Sequence, residues 1–201
     1  MKFVGSLDEL HQHYGEPGDT SLRKVAGRMT KEYRAWIFRS RFCVLTTVGP
    51  EGTDATPRGD DGPVVLELDE HTLAMPDWRG NDRIDSLRNI VRDPRSSLMF
   101  FVPGSNNVVR INGKARITVD ADMRQRFERK GNLPRSVVIF QIEEIYSQCA
   151  RALIRSALWS GKDQSEGLPT VGQILAALTD GDVGGAPYDD TWAERAAKTM
   201  W

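Results

Sequence analysis

Residues 41–60 read RFCVLTTVGPEGTDATPRGD, and they divide the chain into two textures. Cys43 to Val48 is β-branched and apolar, Gly49 to Gly52 is a turn signal, and TDATPRGD returns as a second extended run. The same grammar continues downstream. PVVLEL and TLAMP read as a hairpin around Asp69 to His71. SSLMFFV and NVVRINGKARITV form another antiparallel pair across PGSN, and RSVVIFQIEEIYSQC is a long strand. Roughly six strands clustered in residues 41–149, mostly joined by short turns, predict a closed or nearly closed antiparallel barrel. Such a barrel fills its own middle with side chains, so a ligand must sit outside it or at a subunit boundary.

Helical patterns flank this region. Ser6 with Glu9 makes a capping-box pattern before LDELHQHYG, Leu22 to Arg28 suits a short helix, and Thr30 caps KEYRAWIFRS with Tyr33, Trp36 and Ile37 as its apolar side. ADMRQRFERKG is a short helix, and ARALIRSALW, TVGQILAALTD and DDTWAERAAKTMW are helical after the last strand. The expected organisation is a single domain over residues 1–201. It comprises helices in 1–40, the barrel in 41–149 and helices in 150–201.

The chain has 201 residues, a net charge of −1 and 39% apolar residues, a composition suited to a globular protein with a substantial core. That charge balance argues against generic attraction to nucleic acid or membrane. Arginine outnumbers lysine 20 to 7, which suits bidentate anion contacts but is first explained by an arginine-rich proteome. No apolar run approaches the ~20 residues of a membrane span, and the start of the chain lacks the plan of a secretion signal. A cytoplasmic location is expected. Cys43 and Cys149, both in strand-like contexts with no CxxC, are expected to be buried structural thiols.

Three short segments carry candidate chemistry. PDWRGNDRIDSLRNI, residues 76–90, leads into a helix expected over residues 82–92, with Asn81 as N-cap and Pro94 ending the pattern. Arg79 and Arg83 bracket its start, where unpaired N–H groups and the helix dipole favour an anion. Gly80 lets backbone approach closely. The competing reading is that Arg83 pairs with a neighbouring aspartate on a solvated face, and from local sequence alone that is the stronger one. Thr56-Pro57-Arg58-Gly59-Asp60 suits either presentation of main-chain groups to a flat heterocycle or a plain edge-strand turn. In CARALIRSALW, Arg151 and Arg155 are four apart with Ser156 adjacent and Trp159 one turn on. Taken alone, cation–π packing or core filling explains that arrangement better than a ligand does.

No P-loop, GxGxxG or GxSxG is present, and His11, His13 and His71 have no metal-ligand spacing. Oligonucleotide binding has some support from the basic residues of 76–116. Aromatics for base stacking are sparse there, chiefly Phe100 and Phe101.

Taken in order, FCVLTTVGPEGTDATPRGD, TLAMPDWRGNDRIDSLRNIVRDPRSSLMFF and VVRINGKARI resemble the pyridoxamine 5′-phosphate oxidase-related superfamily of FMN-binding split barrels. The resemblance includes an NPR-like turn at Asp93-Pro94-Arg95 and an R-V-x-G-x-A/V-like strand through Arg110, Gly113 and Ala115. It runs from about Arg41 to Trp159, and CARALIRSALW resembles one bacterial branch. It implies an α+β fold, mainly β, with a six-stranded antiparallel Greek-key split barrel and flanking helices. It also implies a homodimer holding FMN between its subunits. Carried over, Arg83 and Asn81 contact the phosphate with Arg79 as helper. Arg58, Gly59 and Asp60 line the isoalloxazine, and Arg155, Ser156 and Trp159 approach from the carboxyl-terminal side, from the partner chain in one reading.

Three departures qualify the resemblance. Asp82 stands where the oxidases proper carry a basic residue, Val108 where a flavin-contacting Gln falls, and the oxidase substrate-binding segment has no counterpart. Vitamin B6 oxidation is therefore not implied. The expected function is FMN-dependent oxidoreduction of a small molecule through flavin N5, with no metal. The alternative is a carrier or sensor that holds flavin, haem or deazaflavin without turnover.

Overall fold

A computed structural model describes residues 1–149 and 151–201 of the chain. Among these residues there are seven strands, one more than expected: β1 (Phe42–Gly49), β2 (Gly52–Gly59), β3 (Leu66–Asp69), β4 (Thr72–Asp77), β5 (Arg95–Phe101), β6 (Asn107–Thr118) and β7 (Ser136–Cys149). All pair antiparallel, in the spatial order β2-β1-β5-β6-β7-β4-β3. The sheet is not closed. β2 and β3 are its edges, and the pairing that would join them is absent among the described residues. The physical reason lies partly in TPRG: Pro57 within β2 has no N–H to donate to a further strand.

Period-two alternation builds the core. Cys43 and Leu45 of β1, Leu98 and Phe100 of β5, and Val109 and Ile111 of β6 point inward, with Val138 and Phe140 of β7. Each of the larger side chains, buried to about 1% exposure or less, contributes about 1.5–3 kcal/mol of transfer free energy. The β6–β7 register shifts by one residue between Asn112 and Gly113. The inward parity of β7 changes with it, from Val138, Phe140 and Ile142 to Ile145. Gly113 sits at that bulge, and a Cβ there would lie 1.9 Å from the Gln141 carbonyl oxygen.

Helices α1 (Leu7–His11), α2 (Asp19–Arg23) and α3 (Lys31–Ile37) precede the sheet. Ser6 and Thr30 accept from the N–H groups of Glu9 and Tyr33, as their positions predict. The helix expected over 22–28 lies earlier, at 19–23, where Asp19 enters the first turn beneath the dipole. Tyr33 ties α3 to the sheet, donating its hydroxyl to the Lys24 carbonyl at 2.8 Å and accepting from the Ser147 N–H at 3.2 Å.

Helix α4 (Asp85–Arg92) is inserted between β4 and β5, and α5 (Ala121–Gln125) between β6 and β7. After β7 come α6 (Arg151–Arg155), α7 (Val171–Leu178), α8 (Gly185–Asp190) and α9 (Trp192–Thr199). Among the described residues no helix is long and apolar enough to cross a membrane. Cys43 is buried as expected, and Cys149 is exposed. It closes a strand whose last pairing is with the exposed Asn107 at the end of the β6–β7 ladder.

Candidate functional site

The open side of the sheet is a cleft of about 650 Å³, bounded by β2, the end of β4, the loop after it and the first turn of α4. Alternation along β2 partly buries Asp54, Thr56 and Arg58, while Ala55, Pro57 and Gly59 are exposed. Gly49 fixes the position of α4. A Cβ there would meet the Asn89 amide oxygen at 2.1 Å, so α4 rests directly on β1 only because that residue is glycine. The Asn89 amide then donates to the Thr47 hydroxyl at 3.2 Å, and the Ser86 hydroxyl donates to Asp54.

Side chains bridge the gap that the backbone leaves open. Arg58 of β2 pairs through Nη1 with the Asp77 carboxylate of β4, and their side chains are 18% and 12% exposed. Arg58 Nε is buried with no hydrogen-bond partner among the described residues. A shielded guanidinium donor that finds no acceptor is costly to bury, and in a cleft it is a docking point for a ligand acceptor. Asp60, its side chain 4% exposed, accepts from Trp78 Nε1 at 3.1 Å and from the Asp61 N–H at 2.8 Å. Burial raises its carboxyl above the usual range, and the Trp78 N–H opposes that shift.

The loop differs from its sequence expectation. Asn81 does not cap a helix at residue 82; its side-chain oxygen accepts from the Arg83 N–H at 3.2 Å. Asp82 (φ 61°) and Ile84 (φ 45°, ψ 24°) are left-handed, so the chain turns twice before α4 begins at Asp85. Ile84 stands at the N-cap and provides no side-chain hydrogen bond, which leaves first-turn N–H groups without the usual cap. Arg83, 81% exposed, donates through Nε to Asp85 at 2.5 Å, the solvated pairing that local sequence favoured. Asp82 pairs with Arg135. Arg79 makes no hydrogen bond or ion pair among the described residues.

Six of the nine residues expected at the site thus line one cleft: Arg58, Gly59, Asp60, Arg79, Asn81 and Arg83. Arg155, Ser156 and Trp159 do not. Trp159 donates through Nε1 to the Ser105 carbonyl at 2.8 Å, in the β5–β6 turn, and the Ser156 hydroxyl donates to the Leu153 carbonyl. The cation–π contacts among the described residues are Arg110 with Tyr146 and Arg195 with Tyr188, not Arg155 with Trp159. Val108 is buried in β6 and does not line the cleft.

Sequence reading missed Asp77, Trp78 and Arg135. Trp78 lies inside the stretch singled out for its arginines. Arg135 was findable from strand pairing, because Asp77 faces Ser136 across β4–β7 and the Arg135 N–H donates to the Asp77 carbonyl at 3.0 Å.

An open antiparallel sheet with helices at both ends and a charged cleft at its split defines the class. The model of the pyridoxamine 5′-phosphate oxidase family matches residues 29–149, and the chain belongs to that family. Among solved structures it is similar to HupZ of Group A Streptococcus, at 19% identity over 61% of this chain and 95% of that one, with a TM-score of 0.50. It is also similar to a pyridoxamine 5′-phosphate oxidase-type protein of Lactobacillus delbrueckii (24% identity, 60% and 95% coverage, TM-score 0.48). Another such protein, of Listeria innocua, matches at 18% identity, with 58% and 94% coverage and a TM-score of 0.46. No curated protein matches the chain in sequence.

Proposed function

We propose that the chain is an FMN-dependent oxidoreductase acting on a small molecule, as a homodimer with the cleft at its subunit interface. The observation that carries this reading is the convergence of two sequence-distant segments, Arg58–Asp60 and Arg79–Arg83, on one cleft. The residues fit the cofactor. The volume lies within the ~300–1,000 Å³ of ligand pockets, and the cleft offers a buried unpartnered Arg58 Nε and an uncapped first turn of α4.

Arg83 and Asn81, with Arg79, hold the phosphate at that first turn, where N–H groups and dipole favour an anion. Arg83 exchanges Asp85 for the phosphate. That pairing is solvent-exposed and screened, so the exchange costs little. Arg58 presents positive charge and its free Nε to the polar edge of the ring, held in place by Asp77. Gly59 admits the ring close to the backbone, and Asp60 orients Trp78 at the rim. Bound there, FMN supplies hydride transfer through N5. Arg155, Ser156 and Trp159 close the open side from the second copy, in keeping with their absence from the lining of their own chain's cleft.

The test is the absorption spectrum of purified protein, an FMN titration, and stopped-flow reduction by nicotinamide nucleotides followed by reoxidation. A yellow protein that cycles rapidly supports the enzyme. Tight FMN binding without cycling supports a flavin carrier, and failure to bind FMN overturns the enzyme and leaves a carrier of haem or deazaflavin.

A further inference from the structure

Trp78 makes a second contact that FMN binding does not explain. Its ring lies 5.3 Å from that of Trp201, at an interplanar angle of 86°. Trp78 is a fixed element, following directly on β4 and tethered through Nε1 to the buried Asp60. Trp201 belongs to a loosely attached one. Among the described residues, 163–201 keep their hydrogen bonds and ion pairs to themselves, as in Thr170 and Gly172 with Asp189, Arg195 with Tyr188, and Lys198 with Glu194. Helix α9 buries none of its side chains, and Met200 is exposed beside the half-buried Trp201. An indole from a weakly tethered segment therefore rests on an indole that lines the cleft.

We infer that the Trp78 side chain is an aromatic subsite at the rim of the cleft, filled in this conformation by Trp201. A planar aromatic ligand binds there by displacing Trp201. Edge-to-face pairing suits any flat ring with a polarised edge, and the neighbouring Asp60 carboxylate keeps the Trp78 N–H engaged, so its aromatic surface is what remains to offer. An aromatic pair of this kind favours the closed arrangement by about 2- to 12-fold. An incoming ring sees only the open fraction, so removing Trp201 tightens its binding by about 3- to 13-fold. The subsite stands on the Trp78–Trp201 geometry alone. Its assignment to the substrate, which places planar aromatic compounds in reach of the cofactor, rests on the proposed function.

The experiment uses the full chain as wild type, W201A and W201F, with free indole as probe and cyclohexylmethanol as the non-aromatic control. Near-ultraviolet circular dichroism reports the coupled indoles, and the indole N–H resonance of Trp78 reports occupancy. Indole is expected to bind W201A about 3- to 13-fold tighter than wild type and to shift the Trp78 resonance. W201F should fall between the two, and the control alcohol should show no such preference. Equal indole affinity in wild type and W201A, or a shift that bypasses Trp78, overturns the inference. FMN is titrated in parallel. If FMN binds while the indole result fails, the subsite alone falls; if indole behaves as expected while FMN does not bind, the cofactor reading alone falls.

Discussion

Replacing Arg58 by alanine tests whether the bridge across the split is scaffold, ligand site or both. The pair it makes with Asp77 is largely shielded, at 18% and 12% side-chain exposure. Removing Arg58 leaves the Asp77 carboxylate without its cation in a partly dry cleft. Breaking a fully buried pair costs about 3–5 kcal/mol. The cleft admits water on one side, which reduces the expectation for R58A to about 2–4 kcal/mol. For a chain of this length that lowers Tm by roughly 5–15 °C. The double variant R58M/D77L removes both charges and keeps apolar volume, so it should return to within about 1 kcal/mol of wild type. Urea unfolding measures each corner of the cycle, and quenching of FMN fluorescence measures binding. The double variant should fold and fail to bind FMN tightly, because the unpartnered Nε is gone. A loss below about 0.5 kcal/mol in R58A would show that water screens the pair. Wild-type FMN affinity in R58M/D77L would show that Arg58 is scaffold only.

Gly113→Ala places a Cβ 1.9 Å from the Gln141 oxygen in the middle of the sheet, and should cost about 3 kcal/mol or more in urea unfolding. Gly80→Ala meets nothing within 4 Å and should stay within about 0.5 kcal/mol. Maleimide at neutral pH should add one label, at the exposed Cys149. Burial pushes the Cys43 thiol up to about 12, and intact mass should show its label only after denaturation. Arg95 lowers the Asp93 carboxyl to about 2, so its contribution is present above the unfolded value near 3.8 and is lost as pH falls from about 4 to about 2. D93N should therefore flatten the acid limb of stability against pH. D60N should act oppositely, since the raised Asp60 carboxyl takes up its proton more readily in the folded state.

Strands were legible in the sequence because period two and β-branched runs are local properties, and the hairpins at 49–52 and 69–72 follow from turn residues adjacent to them. The opening of the sheet was less legible, since it depends on which two strands fail to meet. The helix start failed for a specific reason. Asn81 has good capping chemistry, and although aspartate visits the left-handed region, nothing in the residue type marks Ile84 for it; a β-branched residue there is held by its surroundings. The bridges Arg58–Asp77, Asp82–Arg135 and Trp78–Trp201 join residues 19, 53 and 123 positions apart. The first exists only once β2 and β4 face each other, the second only once β4 pairs with β7, and the third only once the last helices fold back, so a local reading finds the residues and misses their partners. The matched stretch, residues 29–149, holds both segments that line the cleft, and the helices that follow it carry Trp201.

The charges of the cleft separate its two ends. Five aspartates (54, 60, 77, 82 and 85) line it beside four arginines (58, 79, 83 and 135). An anion cannot simply fall into an excess of positive charge; it must exchange with a carboxylate already in place. At the α4 end that exchange is cheap. Arg83 is 81% exposed and Asp85 38%, Arg79 has no partner among the described residues, and the first turn of α4 lacks a side-chain cap. At the β2 end it is expensive. Arg58 and Asp77 are shielded, and Asp60 is committed to Trp78, the Asp61 N–H and the Arg129 guanidinium 3.7 Å away. A ligand therefore meets an adaptable phosphate end and a preformed ring end. Salt should weaken the first through screening of exposed charges, while leaving the second nearly untouched. FMN affinity should consequently fall with ionic strength far more steeply than riboflavin affinity does. Equal salt slopes for the two ligands would place the phosphate somewhere other than beside Arg83.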